Sequence, residues 1–230
     1  GWYGVFVFGN CSAGSKYFMD VSVCIVNLNA KQYLESCLNL LPESLGSCSY
    51  EVIIVDNHSQ DGSREFIQQE HPGCNLLINY RNEGYTRAIN SAIRVSRGDY
   101  LAVLNPDSEP CPNSIFTLIE FLKLNDDIGI VGPKVIAHDG SFQRSCRRGV
   151  ARPAAVFSYF LGLARRYPND QRFTGYHLNH LDENEINEVS GVSGSCMVMR
   201  KEIIKDIGYF DEQFFAYQED SDYCLRAKES

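Results

Sequence analysis

Between residues 20 and 124 the chain alternates short, almost wholly apolar runs with segments whose apolar residues recur every three or four positions. The runs at residues 21–26, 51–56, 75–79 and 100–104 read as strands. Between them, residues 30–41 place Tyr33, Leu34, Cys37, Leu38 and Leu41 on one helical face, and residues 63–69 form a shorter helix. Residues 86–96 put Ala88, Ile89, Ala92 and Ile93 in helical register. Residues 112–124 form a further helix with Pro112 well placed in its first turn. Strands this apolar have no polar face to offer water, so helices must cover them on both sides. That requirement selects an α/β fold with a mainly parallel sheet. After Gly129 the pattern loosens: residues 138–141 read as a turn, 195–200 as a strand, 201–207 as a helix stopped by Gly208, and 219–228 as a last helix.

The 230 residues, 44% of them hydrophobic, suffice for one large domain with a sizeable core. A net charge of −8, with a pI near 5.1, argues against a general nucleic-acid binder, which needs a basic face. The nine cysteines show no CxxC or Cys/His ligand spacing, so structural zinc is not expected. Cys24, Cys37, Cys196 and Cys224 lie within apolar patterns and are expected to be reduced and buried, in an intracellular compartment. No apolar run approaches the ~20 residues of a membrane span. Residues 1–18, rich in aromatics and glycine, differ from the rest. They are expected to be a non-native leader before Met19 or a small N-terminal extension, with residues 19–230 forming the main domain.

Polar residues gather where the strands end. The first ends in Asn27-Leu28-Asn29, the second in Asp56-Asn57 and the fourth in Asn105-Pro106-Asp107. In open α/β sheets ligands bind beyond the carboxyl ends of the strands, where strand order reverses. Turn and cap preferences explain any one of these sites; three on one rim favour a binding crevice. No GxGxxG or GxxxxGK[ST] loop follows the first strand, so a nucleotide here would need side-chain contacts and a cation on its diphosphate. Asp107 suits the cation, since Mg²⁺ and Mn²⁺ take one or two carboxylates plus phosphate oxygens. Asp56 suits a hydrogen bond from base or ribose.

A second cluster lies in FDEQFFAYQEDSDYCLR, residues 210–226. Glu219, Asp220 and Asp222 crowd the first turn of the last helix, where the macrodipole favours acids anyway. Phe210, Phe214, Phe215 and Tyr217 lead up to them, and an apolar wall beside acids can tune a carboxylate to act as a general base. The residues alone leave these two explanations balanced.

Taken together, VSVCIVNLNAKQYLESCL, EVIIVDNHSQDGS, NEGYTRAINSAI, GDYLAVLNPDSE, IGIVGPKVIAHDGSFQRSCRR, VSGVSGSCMVMRKEIIKDIGYFDEQFF and YQEDSDYCLR resemble an inverting family 2 glycosyltransferase of GT-A type. The resemblance is strongest to the rhamnosyltransferase-like branch. It implies a GT-A (Rossmann-like) three-layer α/β/α sandwich with a mainly parallel, mixed central sheet. It places Asn27 and Asn29 at the nucleotide, Asp56 at the base, and Asn82, Gly84 and Asn90 on the loop and helix flanking the nucleotide pocket. NPD stands where the family has its DxD element, which implies Asp107 as the metal and diphosphate contact and Asn105 nearer the ribose. Glu219 and Asp220 match the family's acidic pair, with Asp220 as catalytic base.

The implied reaction moves a sugar, rhamnose among the expectations, from a dTDP- or UDP-sugar to a saccharide or lipid-linked acceptor in cell-surface polysaccharide synthesis. The cofactor implied is Mg²⁺ or Mn²⁺, and the partners considered include a second copy of the chain. The place implied is the cytoplasm, peripherally at the inner membrane face. Asn105 departs from the family's usual aspartate, and Ile89 from a frequent basic residue. Relatives normally continue past the position of Ser230, so a truncated chain is expected. The segment at residues 143–148, containing Arg144, Arg147 and Arg148, reads as an exposed hairpin arm or as a contact for donor phosphates or an anionic acceptor. Residues 150–188 are a candidate region for acceptor recognition or membrane contact, and the Ser190-Gly191 and Ser193-Gly194 pairs either let backbone approach the acceptor or form a loop before a strand. Two other readings compete. A sugar-phosphate nucleotidyltransferase would carry a glycine-rich basic loop after the first strand. Against an inactive sugar-nucleotide-binding module stand Glu219, Asp220 and Asp107, and for it the expected truncation at Ser230.

Overall fold

The computed structural model describes residues 19–149, 166–167, 178 and 181–230. The N-terminal segment and most of residues 150–188 lie outside these. The described elements are β1 (Val21–Asn27), α1 (Lys31–Leu45), β2 (Tyr50–Asp56), α2 (Ser63–Glu70), β3 (Asn75–Ile78), α3 (Tyr85–Val95), β4 (Tyr100–Leu104) and α4 (Ser114–Leu124). Then come β5 (Ile130–Val131), β6 (Arg147–Arg148), β7 (Gly191–Val192), β8 (Cys196–Arg200), α5 (Ile204–Ile207) and α6 (Glu219–Glu229).

One sheet has the order β3-β2-β1-β4-β8-β5. Strands β1 to β4 pair in parallel, while β8 runs antiparallel to both β4 and β5. Every residue of β1 and β4 is buried, because helices cover both faces. Alternating residues divide between two cores. Val23, Ile25, Ile54, Ala102, Leu104 and Val198 pack with α1, α2 and α4. Cys24, Val26, Ile53, Val55, Leu101 and Met197 pack with α3 and α6. Each large aliphatic side chain removed from water contributes about 1.5–3 kcal/mol, so this double layer dominates the stability.

The helix expected to end at Leu41 runs on through Pro42 to Leu45. Pro42 deprives the helix of one backbone hydrogen bond, yet the turn beyond it buries Ser44 and Leu45 completely. The burial of Leu45 in the core offsets the missing bond. The expected turn at residues 138–141 is present as a tight hairpin, with Ile136 bridging Phe142 and Asp139 Oδ1 accepting from the Ser141 N–H at 2.9 Å. The two-residue strands β6 and β7, which pair antiparallel, carry too short a pattern to be seen in the sequence.

Candidate active site

Three strands numbered in chain order lie on one side of the sheet and β4 on the other, so strand order reverses between β1 and β4. The crevice beyond that reversal has a floor made by Asn27 and Asp56, which face each other in register and are fully buried. Asn27 Nδ2 donates to Asp56 Oδ2 at 3.1 Å and to Ser59 Oγ at 3.0 Å. The Ser59 N–H and Arg64 Nε donate to Asp56 Oδ1 at 3.0 and 2.5 Å. Burial alone would raise the Asp56 carboxyl, but these donors outweigh it and hold the group below the ordinary carboxylate value. Asn27 Oδ1 is buried without a partner, an acceptor still open at the floor. Asn29 is exposed and left-handed at φ 52°, with its Oδ1 accepting from the Gln60 N–H at 2.7 Å.

The loop before α3 forms one wall. Asn57 Nδ2 donates to Asn82 Oδ1 at 2.9 Å and to the Gly84 carbonyl at 3.2 Å, while its Oδ1 accepts from Asn79 Nδ2 and the Glu83 N–H. Gly84 sits at φ 85°, and a Cβ there would lie 2.6 Å from the Phe215 carbonyl oxygen. That oxygen instead accepts from the Tyr85 N–H at 2.7 Å, which ties the segment before α6 to the start of α3.

Opposite, the Asn105 N–H donates to the Ser195 carbonyl at 3.0 Å, so the loop after β4 leans on the turn before β8. Asp107 is exposed, and among the described residues it makes no hydrogen bond or ion pair. It borders a cleft of ≈ 290 Å³ with Gln32, Tyr33, Ser36, Glu109 and His138. His138 comes from the Asp139-Gly140 hairpin, and nothing in the sequence set it apart from an ordinary turn residue.

The acids complete the rim. Tyr217 and Gln218 both adopt left-handed backbone, φ 67° and 72°, immediately before α6. Non-glycine residues adopt this conformation only where surrounding contacts enforce it, and here it turns Glu219 and Asp220 inward, leaving both buried. Asp220 Oδ2 accepts from the Gly194 N–H at 3.0 Å, and Oδ1 accepts from Arg148 Nη1 at 2.6 Å and the Ser221 N–H at 2.7 Å. Gly194 adjoins Ser195, so Asp220 and the Asn105-Pro106-Asp107 loop are linked through one short turn. Burial, reinforced by the charge of Asp220, raises the Glu219 carboxyl, and Glu219 Oε2 has no partner. The Tyr85 hydroxyl is likewise buried and unpartnered; burial first, then Glu219 and Asp220, raises its pKa and keeps it a donor.

A family model described as glycosyl transferase family 2 matches residues 22–208. The chain belongs to that family. The match spans the floor, the loop before α3 and the Asn105-Pro106-Asp107 turn, and ends before Glu219. Over 182 residues the chain is 30% identical to the N-acetylglucosaminyl-diphospho-decaprenol L-rhamnosyltransferase of Mycobacterium tuberculosis, covering 74% of this chain and 58% of that one. It is 25% identical over 222 residues to a low-salt glycan biosynthesis hexosyltransferase of Haloferax volcanii, covering 95% of this chain and 64% of the relative. The chain thus spans under two thirds of the length of these relatives. Among solved structures, S. aureus TarS 1-349 in complex with UDP-GlcNAc matches with a TM-score of 0.61 at 18% identity, over 91% of this chain and 53% of that one. A Pyrobaculum calidifontis mannosyltransferase in complex with GDP-Man and Mn²⁺ matches with a TM-score of 0.56 at 18% identity, over 89% and 50%. These likenesses establish the GT-A fold expected from the sequence.

Within this family 2 fold the expected site residues take different places. Asn27, Asp56, Asn82, Asn105 and Asp107 lie on connected parts of the rim, with Asn29 beside the floor. Asn90 does not: it is fully buried inside α3, donating to the Phe210 carbonyl at 2.8 Å and Glu212 Oε1 at 3.2 Å, and accepting from the Phe210 N–H. Its amide anchors the segment that leads to α6. No group of three or more His, Cys, Asp or Glu is close enough to hold a metal among the described residues. Asp107 offers a single exposed carboxylate, without a hydrogen-bond or ionic partner among the described residues. The β1–α1 connection, Leu28 to Ala30, contains no glycine, unlike the loop a nucleotidyltransferase would need. Arg64 and Tyr85 are site components that the sequence did not single out, while Arg148 and Gly194, expected to make other contacts, hold Asp220 across 72 and 26 residues.

Proposed function

We propose that this chain carries the donor-binding and catalytic part of an inverting glycosyltransferase. It moves a sugar from a nucleoside-diphosphate donor to a hydroxyl of a saccharide or lipid-linked acceptor. The observation that carries the reading is the linkage of Asp107, a free carboxylate, to Asp220, an inward-turned one, through Asn105, Ser195 and Gly194 on a single rim. The nucleoside half would lie over Asn27 and Asp56, with Asn29, Asn82 and Asn105 around it. Asp107 would hold Mg²⁺ or Mn²⁺, which when bound neutralises charge on the diphosphate leaving group.

Asp220 accepts the proton of the acceptor hydroxyl as that oxygen forms its bond to the anomeric carbon. The bond from that carbon to the phosphate oxygen breaks, and its electron pair departs with the nucleoside diphosphate. Attack from the face opposite the leaving group inverts the configuration. Glu219, buried beside Asp220, supplies a second carboxyl to the same pocket. The relatives' names support a rhamnosyl donor and a lipid-diphosphate acceptor, which would bring the enzyme to the cytoplasmic membrane surface. No helix of the described residues is long and apolar enough to cross a membrane.

Calorimetric titration with UDP, dTDP and GDP, with and without Mn²⁺, tests the reading. At least one nucleotide should bind more tightly with the ion, and Asp107→Ala should abolish that gain. Asp220→Asn should leave nucleotide affinity intact and lower transfer by the full-length protein by about 10²–10⁴-fold, the usual worth of a general base. Failure of all three nucleotides to bind, or survival of transfer in Asp220→Asn, would overturn it.

A further inference from the structure

Resting on that reading, we infer that Arg148 is the positioning residue of the Asp220 base and leaves Oδ2 as the oxygen that takes the proton. Arg148 lies on β6, in the segment whose basic residues suggest either an exposed arm or a phosphate contact. The structure packs Arg148 against Asp220 instead of leaving it on an exposed arm. Its side chain is 19% exposed, and Nη1 donates to Asp220 Oδ1 at 2.6 Å and to Ser221 Oγ at 2.9 Å.

The β6–β7 ribbon aims this side chain. Arg148 pairs with Gly191, its carbonyl accepts from the Ser190 N–H at 3.1 Å, and the Cys146 carbonyl accepts from the Ser193 N–H at 3.0 Å. Successive strand residues point to opposite faces, and the neighbour behaves accordingly. Arg147 turns away to donate to the carbonyls of Leu181 and Asp182 and lies over the Phe142 ring at 5.0 Å. β7 leads into Gly194, whose N–H holds Asp220 Oδ2 at 3.0 Å. One ribbon therefore supplies a donor to each oxygen of the same carboxylate.

The division of donors decides which oxygen reacts. Oδ1 accepts two strong bonds, from Arg148 Nη1 and the Ser221 N–H, and a longer one from Ser221 Oγ at 3.3 Å, which together fill its lone pairs. Among the described residues Oδ2 accepts only the Gly194 N–H and keeps one lone pair. A fixed, partly unsatisfied oxygen in a water-poor site is what a base for an incoming hydroxyl requires. Without Arg148, α6 would keep Asp220 buried, but Oδ1 would lose its charged partner and the carboxylate would be held by the Ser221 and Gly194 N–H groups without an ionic anchor.

The test uses Arg148→Met, Arg148→Lys, Asp220→Asn and the double variant Arg148→Met/Asp220→Asn. Two readouts need no turnover. Nucleotide affinity in the presence of Mn²⁺ should be the same in Arg148→Met as in the wild type. The drop in melting temperature caused by Arg148→Met should shrink clearly in the Asp220→Asn background, because the ionic partner is already gone. The third readout is release of nucleoside diphosphate from the nucleotide sugar that binds best. Arg148→Met should lower its kcat on the order of 10²-fold, as for a misplaced catalytic group, with the donor KM unchanged. Arg148→Lys should recover part of the loss, and Arg148→Met should add nothing in the Asp220→Asn background.

A weakened nucleotide affinity would make Arg148 a phosphate contact and overturn the inference. So would melting-temperature losses that simply add, or an unchanged kcat in Arg148→Met while Asp220→Asn abolishes release. If Asp220→Asn retained full release, or the wild type released nothing, the failure would belong to the proposed function. The affinity and melting comparisons would still decide whether Arg148 serves Asp220.

Discussion

Replacing Arg64 with methionine tests the floor of the crevice most directly. The substitution keeps much of the side chain's length and apolar stem but removes the Nε donor 2.5 Å from Asp56 Oδ1 and the Nη2 donor to the Asn79 carbonyl at 3.2 Å. Asp56 is fully buried, so its charge would remain against only the neutral donors Ser59 and Asn27. Breaking a buried ion pair by removing one partner costs about 3–5 kcal/mol. Arg64 is 25% exposed, so water can replace part of the lost interaction, and a cost of about 2–3 kcal/mol is expected at pH 7. For a domain of this size that corresponds to roughly 5–10 °C in melting temperature.

The pH dependence carries the sharper test. Asp56 titrates in the fold below its unfolded value of about 3.9, so its contribution is whole above that value and is lost as pH falls through the folded pKa. The gap between wild type and Arg64→Met should therefore be full at pH 7 and narrow below about pH 4. Urea unfolding followed by circular dichroism at pH 7 and at acid pH measures both. A gap under about 0.5 kcal/mol at neutral pH, the range of an ordinary surface substitution, would refute the reasoning. So would a gap that persists unchanged in acid.

Gly84→Ala should destabilise the fold by about 2 kcal/mol or more, since the left-handed backbone and the Phe215 carbonyl 2.6 Å away both oppose a Cβ. Because the same contact seats the segment before α6, it should also weaken nucleotide binding, and wild-type affinity and melting temperature together would contradict this. Thiol labelling at pH 8 followed by peptide mapping should find Cys111, exposed, modified ahead of the other described cysteines. Cys24 and Cys37, buried and pushed up to about 12 by that burial, should react only as the protein unfolds, which a denaturant series with mass spectrometry would show.

The sheet and most of its helices are legible in the sequence because they depend on local periodicity. The VSVCIV and YLAVL runs can only be doubly covered strands, and Asn27, Asp56 and Asn105 stand at strand ends wherever those strands sit. The last turn of α1 is not legible in the sequence, because burial of Leu45, a tertiary effect, outweighs the local preference of Pro42. Asn90 is aligned with the pocket's flanking helix by resemblance, yet its direction within α3 sends its amide to Phe210, 120 residues away.

The sequence by itself determined the α/β architecture, the polar rim and the acidic pair, since each is written in neighbouring residues and the backbone geometry they favour. The tertiary structure alone decided how the rim is wired. It set Arg148 on Asp220 across 72 residues, seated Gly194 beneath the same carboxylate, and left Asp107 without a partner among the described residues. The physical reason is that a side chain's charge partner depends on which elements the sheet order brings together and which way each strand residue points. Neither is encoded in the short windows where secondary structure is read.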